Sequence, residues 1–143
     1  MKVIDTNFII NAYREEVLLK NEYFAAPDVL EELKIDPGIK IPSNVKDGRG
    51  GIFFSMPVYL GNYSYFLNKY CPSFYNMTSF GDISTLAFIR TVLENIKRQA
   101  TLPTMEENII LFADDEKLSK RVIKEFSSEV KIIKFANSEK NLL

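Results

Sequence analysis

Short apolar runs, each handing over within a residue or two to a helical pattern, constrain this chain more than any other feature. Val3-Ile4 precedes "DTNFIINAYR", Tyr23-Phe24-Ala25-Ala26 precedes "PDVLEELK", and "NIILFA" precedes "DDEKLSKRVIKEF". A further run, "VKIIKF", closes the alternation. Near-continuous apolar runs of this length suit strands buried on both faces. Such strands, alternating with helices, imply a parallel sheet enclosed by helix layers. The expectation is an α/β fold, a three-layer α/β/α sandwich with a mostly parallel central sheet. With 143 residues, 46% of them hydrophobic, the chain suits one domain spanning 1–143 with a substantial core.

The periodicity fills in the outline. Lys2 to Ile4 reads as a strand, and Thr6 to Lys20 as a helix carrying Phe8, Ile9, Ala12, Val17 and Leu19. Pro27 suits the first position of a helix and Asp28 its first turn, while Asp36-Pro37-Gly38 breaks that helix. Asp82 to Arg98 reads as a helix through Ile83, Leu86, Ala87, Leu93 and Ile96. Residues 39–80 read as an irregular, aromatic-rich insertion, with "KDGRGG" (46–51) a flexible turn. Within it Tyr59, Tyr63, Phe66, Leu67 and Tyr70 fall at helical spacing. That stripe suits packing, in the core or a dimer interface, more than the alternative of stacking on bases. No repeat or low-complexity segment interrupts the chain.

Composition removes several chemistries. There is no histidine, so imidazole is unavailable as general base, proton shuttle or metal ligand. Serine–histidine and cysteine–histidine nucleophiles are excluded with it. The single Cys71 forms no internal disulfide, and leaves a zinc site short of nitrogen and sulfur ligands. A metal in this chain would sit among oxygens, which favours Mg2+ or Mn2+. A net charge of −1 offers no overall attraction for a polyanion, so any nucleic-acid contact must come from local patches. With no leader-like or membrane-length apolar segment, a soluble cytoplasmic protein without membrane attachment is expected.

The carboxylates fall where these elements meet. Asp5 follows the first strand and Asp114-Asp115 follow "IILFA". In a parallel sheet both places lie on the carboxyl edge, where ligands bind. Glu31 or Glu32, one turn into its helix, can reach the same edge, as can Asp82 at the start of another. Each such Asp, taken singly, is ordinarily a helix cap, and a Glu pair is ordinarily solvated surface. Asp5, however, is followed by Thr6, a better cap than a carboxylate facing a core.

In chain order, "VIDTNFII", "APDVLEEL", "FGDISTLAF" and "ILFADDEKL" resemble the PIN-domain family. The resemblance makes Asp5 the first metal-ligand position, supported by Thr6 and Asn7. It selects Glu32 over Glu31, five residues after Pro27, and takes Asp82 through the following Leu86-Ala87. It assigns Asp115, three before Leu118, with Asp114 as the partner of an Asp-Asp variant. Asp5, Glu32, Asp82 and Asp115 would be catalytic, and with Asp114 would bind metal. The implied activity is a Mg2+- or Mn2+-dependent endoribonuclease acting on single-stranded RNA, such as tRNA or rRNA. An antitoxin protein and a homodimer are the partners a toxin of this family would have. The Leu-Glu-Glu-Leu and Ala-Asp-Asp stretches lean instead toward the ribosomal-RNA-trimming branch, whose zinc ribbon is absent here. The long middle, 39–80, departs from the more helical middle of the family.

The implied chemistry agrees with the residues alone. Crowded carboxylates repel one another unless a divalent cation keeps them ionised. A bound ion would activate water and stabilise in-line displacement at phosphorus without a histidine. Phosphates would need nearby positive charge, for which Lys46, Arg49, Lys117, Lys120 and Arg121 are candidates; a solvated helix face and a mobile loop are the plainer account of them. Two other readings stay open. One is a catalytically inactive scaffold of the same fold, binding RNA or protein. The other is a receiver-type phosphoacceptor, which wants a late lysine just after a strand; the nearest, Lys134, falls inside a strand pattern.

Overall fold

A computed structural model of the chain describes residues 1–71, 80–99 and 108–143. In chain order the elements are β1 (Lys2–Ile4), α1 (Thr6–Arg14), β2 (Tyr23–Ala25), α2 (Pro27–Ile35) and β3 (Val45–Asp47). They continue with α3 (Met56–Tyr70), α4 (Phe80–Gln99), β4 (Ile109–Phe112), α5 (Glu116–Phe126) and β5 (Val130–Ile133). The five strands form one sheet in the order β3-β2-β1-β4-β5, every neighbouring pair parallel. Helices flank it as a three-layer α/β/α sandwich, and the sheet is wholly rather than mostly parallel. Val3, Ile4, Ala25, Ile109 and Leu111 are buried in its centre. Phe8 packs edge-on against Phe112 and Phe135, closing the core beside β1 and β4. Among the described residues no helix is long and apolar enough to cross a membrane.

Three local differences from expectation have physical causes. Helix α1 stops at Arg14 rather than Lys20, because Glu16 takes a left-handed conformation with φ 56°. The Glu16 amide then donates to Tyr13 O and the Val17 amide to Ala12 O, a helix-ending pair of bonds usually built on glycine. Second, the described residues of the expected irregular insertion supply β3 and α3, two elements of the sandwich. Lys46 and Asp47 of the expected flexible turn pair with Phe24 and Ala25 in the sheet, and only Gly48–Gly50 form a tight 3-10 turn. With Val45 its one buried residue, β3 lacks the apolar run that marks the other strands. Third, β5 ends at Ile133, so Lys134 follows the strand instead of lying in it. The expected helix from Asp82 and the strand "NIILFA" have their described counterparts in α4 and β4, while residues 72–79 of the expected insertion lie outside the described residues.

The aromatic stripe of α3 packs. Phe66 is fully buried, Tyr59 is buried with its hydroxyl 2.6 Å from Ser84 Oγ, and Tyr63 donates to Asp28 Oδ2 at 2.7 Å. Tyr70 donates to Glu125 Oε1 at 2.5 Å, so α3 is tied to α2, α4 and α5 by polar tips on apolar bodies.

Candidate active site

The sheet order reverses direction at its middle. From β1 the chain moves to β2 and β3 on one side, and from β4 to β5 on the other. Connections leaving two adjacent strands in opposite directions open a crevice at their carboxyl ends. Ile4 and Phe112 are in register, and the Asp5 amide donates to Phe112 O at 2.9 Å, so Asp5 and the Asp114-Asp115 pair flank that crevice.

Asp5 stands at the N-cap position of α1 in extended conformation, yet its side chain caps nothing. It is 3% exposed. Burial first, then the charge of Asp82, drives its carboxyl up to about 7; Glu32 and Asp115 add to the rise and a backbone hydrogen bond from Thr6 opposes it. Asp82, in the first turn of α4, is 6% exposed. Burial and then Asp115 push its carboxyl up to about 6, with Glu32 adding and Arg121 and Lys117 opposing. Four acidic groups from four chain segments thus act on one another, and the two most buried bear the cost of repulsion.

Glu32 and Asp115 are held by hydrogen bonds. Thr6 Oγ1 donates to Glu32 Oε2 at 2.8 Å and the Gly81 amide donates to Oε1 at 3.0 Å. Glu32 therefore ties the starts of α1 and α4 together, next to Asp5 on one side and Asp82 on the other. Gly81 has no side chain for a reason of space. A Cβ there would lie 2.6 Å and 2.7 Å from the two Glu32 oxygens. Sequence reasoning passed over Gly81, although its place directly before Asp82 was the available signal. Asp115 caps α5 through the Leu118 amide at 3.0 Å. Glu31 points to solvent and pairs with Lys34, which separates it from Glu32.

Asp114 turns elsewhere. Its carboxylate accepts from Asn11 Nδ2 at 2.5 Å and from the Phe135 amide at 2.7 Å, tying α1 to the chain after β5. Successive residues leaving a strand point in opposite directions, and of this pair Asp115 is the one whose charge raises Asp5 and Asp82. Asp114, expected among the metal-binding positions, is held in this tether. Asn7 is exposed on the first turn of α1; Asn11, one turn further, is the amide that is used.

The expected basic residues separate. Lys117 and Arg121 are close enough to Asp82 to oppose its protonation. The Arg121 guanidinium also lies 4.4 Å above the Tyr70 ring. Arg49 is engaged by Asp47 at 2.6 Å, so its charge is largely neutralised locally, and Lys46 is exposed on β3. Lys120 lines a groove along β5 instead. Lys134, directly after β5, pairs with the exposed Glu116 rather than with any carboxylate of the crevice.

Chemically, the cluster offers oxygen donors alone, the set suited to a hard divalent cation. As the side chains stand, no three acidic or cysteine groups among the described residues are arranged to hold an ion. No protein-family model, curated protein or solved structure matches the chain, so the site is read from its own residues.

Proposed function

We propose that this chain is a divalent-metal-dependent endoribonuclease of the PIN type, cutting single-stranded RNA at the cluster of Asp5, Glu32, Asp82 and Asp115. One observation carries the reading: Asp5 is buried, caps no helix, and is raised to about 7 beside three other acidic groups. A structural carboxylate is normally hydrogen-bonded or paired with a cation; one held against like charges suits a cation-binding site. Mg2+ or Mn2+ bound by Asp5, Asp82 and Asp115 would supply a Lewis acid and an activated water.

The chain's own residues do the rest. Glu32 fixes the start of α4, and with it Asp82, against Asp5 through Thr6 and Gly81. Asp115 is oriented by the Leu118 amide. Arg121 and Lys117, beside Asp82, supply positive charge for the scissile phosphate. A cytoplasmic toxin covered by an antitoxin, alone or as a homodimer, and an rRNA-trimming enzyme are the two biological forms of this proposal.

A second reading, a catalytically inactive scaffold that binds RNA or protein, is favoured by the absence of a formed three-ligand arrangement among the described residues. The two separate in one experiment. A labelled oligoribonucleotide is incubated with the chain and Mn2+ or Mg2+, with and without EDTA, while Mn2+ binding is followed by calorimetry. Cleavage that stops with EDTA and is abolished in Asp5→Asn supports the nuclease. Metal-independent cleavage, or normal cutting by Asp5→Asn, defeats it. A folded chain that neither binds Mn2+ nor cuts RNA is the scaffold.

A further inference from the structure

We infer that the outer edge of β5 is a docking site for an extended segment of another protein, acidic and apolar at alternate positions, which adds a sixth strand to the sheet. Strand β5 is outermost, and among the described residues no strand lies on its far side. Ala113 N–H donates to Ile133 O at 3.1 Å, so Ile133 turns its backbone toward β4. The preceding residue, Ile132, turns its N–H and C=O the other way, as the pleat requires. A groove of about 720 Å3 borders this edge, with Ser119, Lys120 and Ile123 of α5 and Asn137, Ser138 and Leu142 around it, and runs inward past Ile110 and Phe112 of β4 to Lys2 of β1.

Two features of the groove specify its occupant. Ile123 is 59% exposed and Leu142 68% exposed, and between them Ile132 and Ile133 are only half-buried. Lysines alone would be the usual guard against unwanted pairing at an edge. A guard has no use for large exposed aliphatic side chains on both flanks, whereas alternate apolar residues of an incoming strand do. The charged lining is Lys2, Lys120, Lys131 and Lys134 against Glu116 and Glu139. The Lys134–Glu116 ion pair cancels internally, leaving Lys120 and Lys131 opposite Glu139 beside β5, with Lys2 on β1 adding positive charge further in. Two copies pairing β5 to β5 about a two-fold axis would bring these lysines together. An acidic segment neutralises them, so electrostatic complementarity selects another chain over a second copy.

The probe is a fluorescein-labelled synthetic peptide of about eight residues alternating glutamate and valine, titrated with the full chain. Controls are an alternating lysine–valine peptide and two forms of the acidic peptide, N-methylated on one or the other set of alternate amides. The acidic peptide should bind saturably, and the lysine peptide at least about tenfold more weakly. Only one of the two N-methylated forms should lose binding, because only one set of amides faces β5. The double variant Lys120→Glu/Lys131→Glu should weaken the acidic peptide by about tenfold or more and favour the basic one. Ile132→Pro should abolish binding; if that variant does not fold by circular dichroism, the N-methylated peptides carry the same test on the wild type. Absent binding, equal affinity for acidic and basic peptides, or indifference to both methylation patterns would overturn the proposal. So would a concentration-dependent dimer in sedimentation that the acidic peptide cannot displace, which would make a second copy the occupant.

Discussion

Gly81 carries more of the candidate site than its lack of side chain suggests. Its backbone is free of positive φ, so its value lies in room, not in conformational freedom. Gly81→Ala would place a methyl group against both oxygens of Glu32 at 2.6–2.7 Å, and the carboxylate must move. RNA cleavage should fall by at least about tenfold, a loss of transition-state positioning worth roughly 1.4 kcal/mol, while far-ultraviolet circular dichroism stays unchanged. Wild-type turnover in that variant would show that Glu32 need not sit where it does. The neighbouring carboxylates Asp114 and Asp115 separate by the opposite logic. Asp114→Asn weakens the tie to Asn11 and Phe135, so it should cost about 1–3 kcal/mol of stability in urea melts with a mild loss of cleavage. Asp115→Asn should do the reverse, sparing much of the helix cap because asparagine caps nearly as well. Equal losses of activity at the two positions would defeat the division.

At the level of elements, α3 tests whether aromatic residues serve packing or RNA. Phe66 is fully buried against Phe126, so Phe66→Ala should cost about 3–5 kcal/mol, read as a lowered urea midpoint. Tyr65, 46% exposed beneath Arg90 at 4.5 Å, should tolerate alanine with well under half that loss. Similar stability losses at both positions would mean α3 is not seated as described. The elements also show what was legible in the chain and why. Strands β1, β2 and β4 announce themselves because burial leaves apolar runs, and β5 does so through Val130, Ile132 and Ile133 despite its exposed Lys131. Helix α4 does so because thirteen of its residues are buried, far more than one face. The end of α1 was not legible, since Glu16 occupies a position where glycine is the usual marker. Nor was β3, a three-residue edge strand with a lysine and an aspartate. For the site, junction positions offered Asp5, Asp82, Glu31 or Glu32 and the Asp114-Asp115 pair, and only the family resemblance chose Glu32 and Asp115 among them; the Glu32–Gly81 contact spans 49 residues of sequence and has no local periodicity to reveal it.

Across the whole molecule the cluster makes stability depend on pH in an unusual direction. Asp5 and Asp82 bind protons more tightly folded, at about 7 and about 6, than unfolded, at 3.8. Between those limits the native state holds the extra protons, so its stability falls as pH rises. Asp47 and Glu125 are shifted downward and act only in more acidic solution. The melting temperature of the chain in EDTA should therefore drop from about pH 5 to about pH 8. Mn2+ should restore it most at the alkaline end, and Asp5→Asn should flatten the slope. A metal-free melting temperature that rises through this window would contradict the electrostatic description. The central pairing of the sheet also sets an order of events. Strand β1 pairs with β4, residues 2–4 against 110–112, so the middle of the sheet closes across almost the whole chain. Such distant contacts form late, and domains emerging from the ribosome acquire them only once the far partner is made. Asp115 arrives with β4. A nascent chain carrying β1 to α4 holds three of the four carboxylates and no crevice to put them in, so whatever the cluster does begins only after β4 has been made.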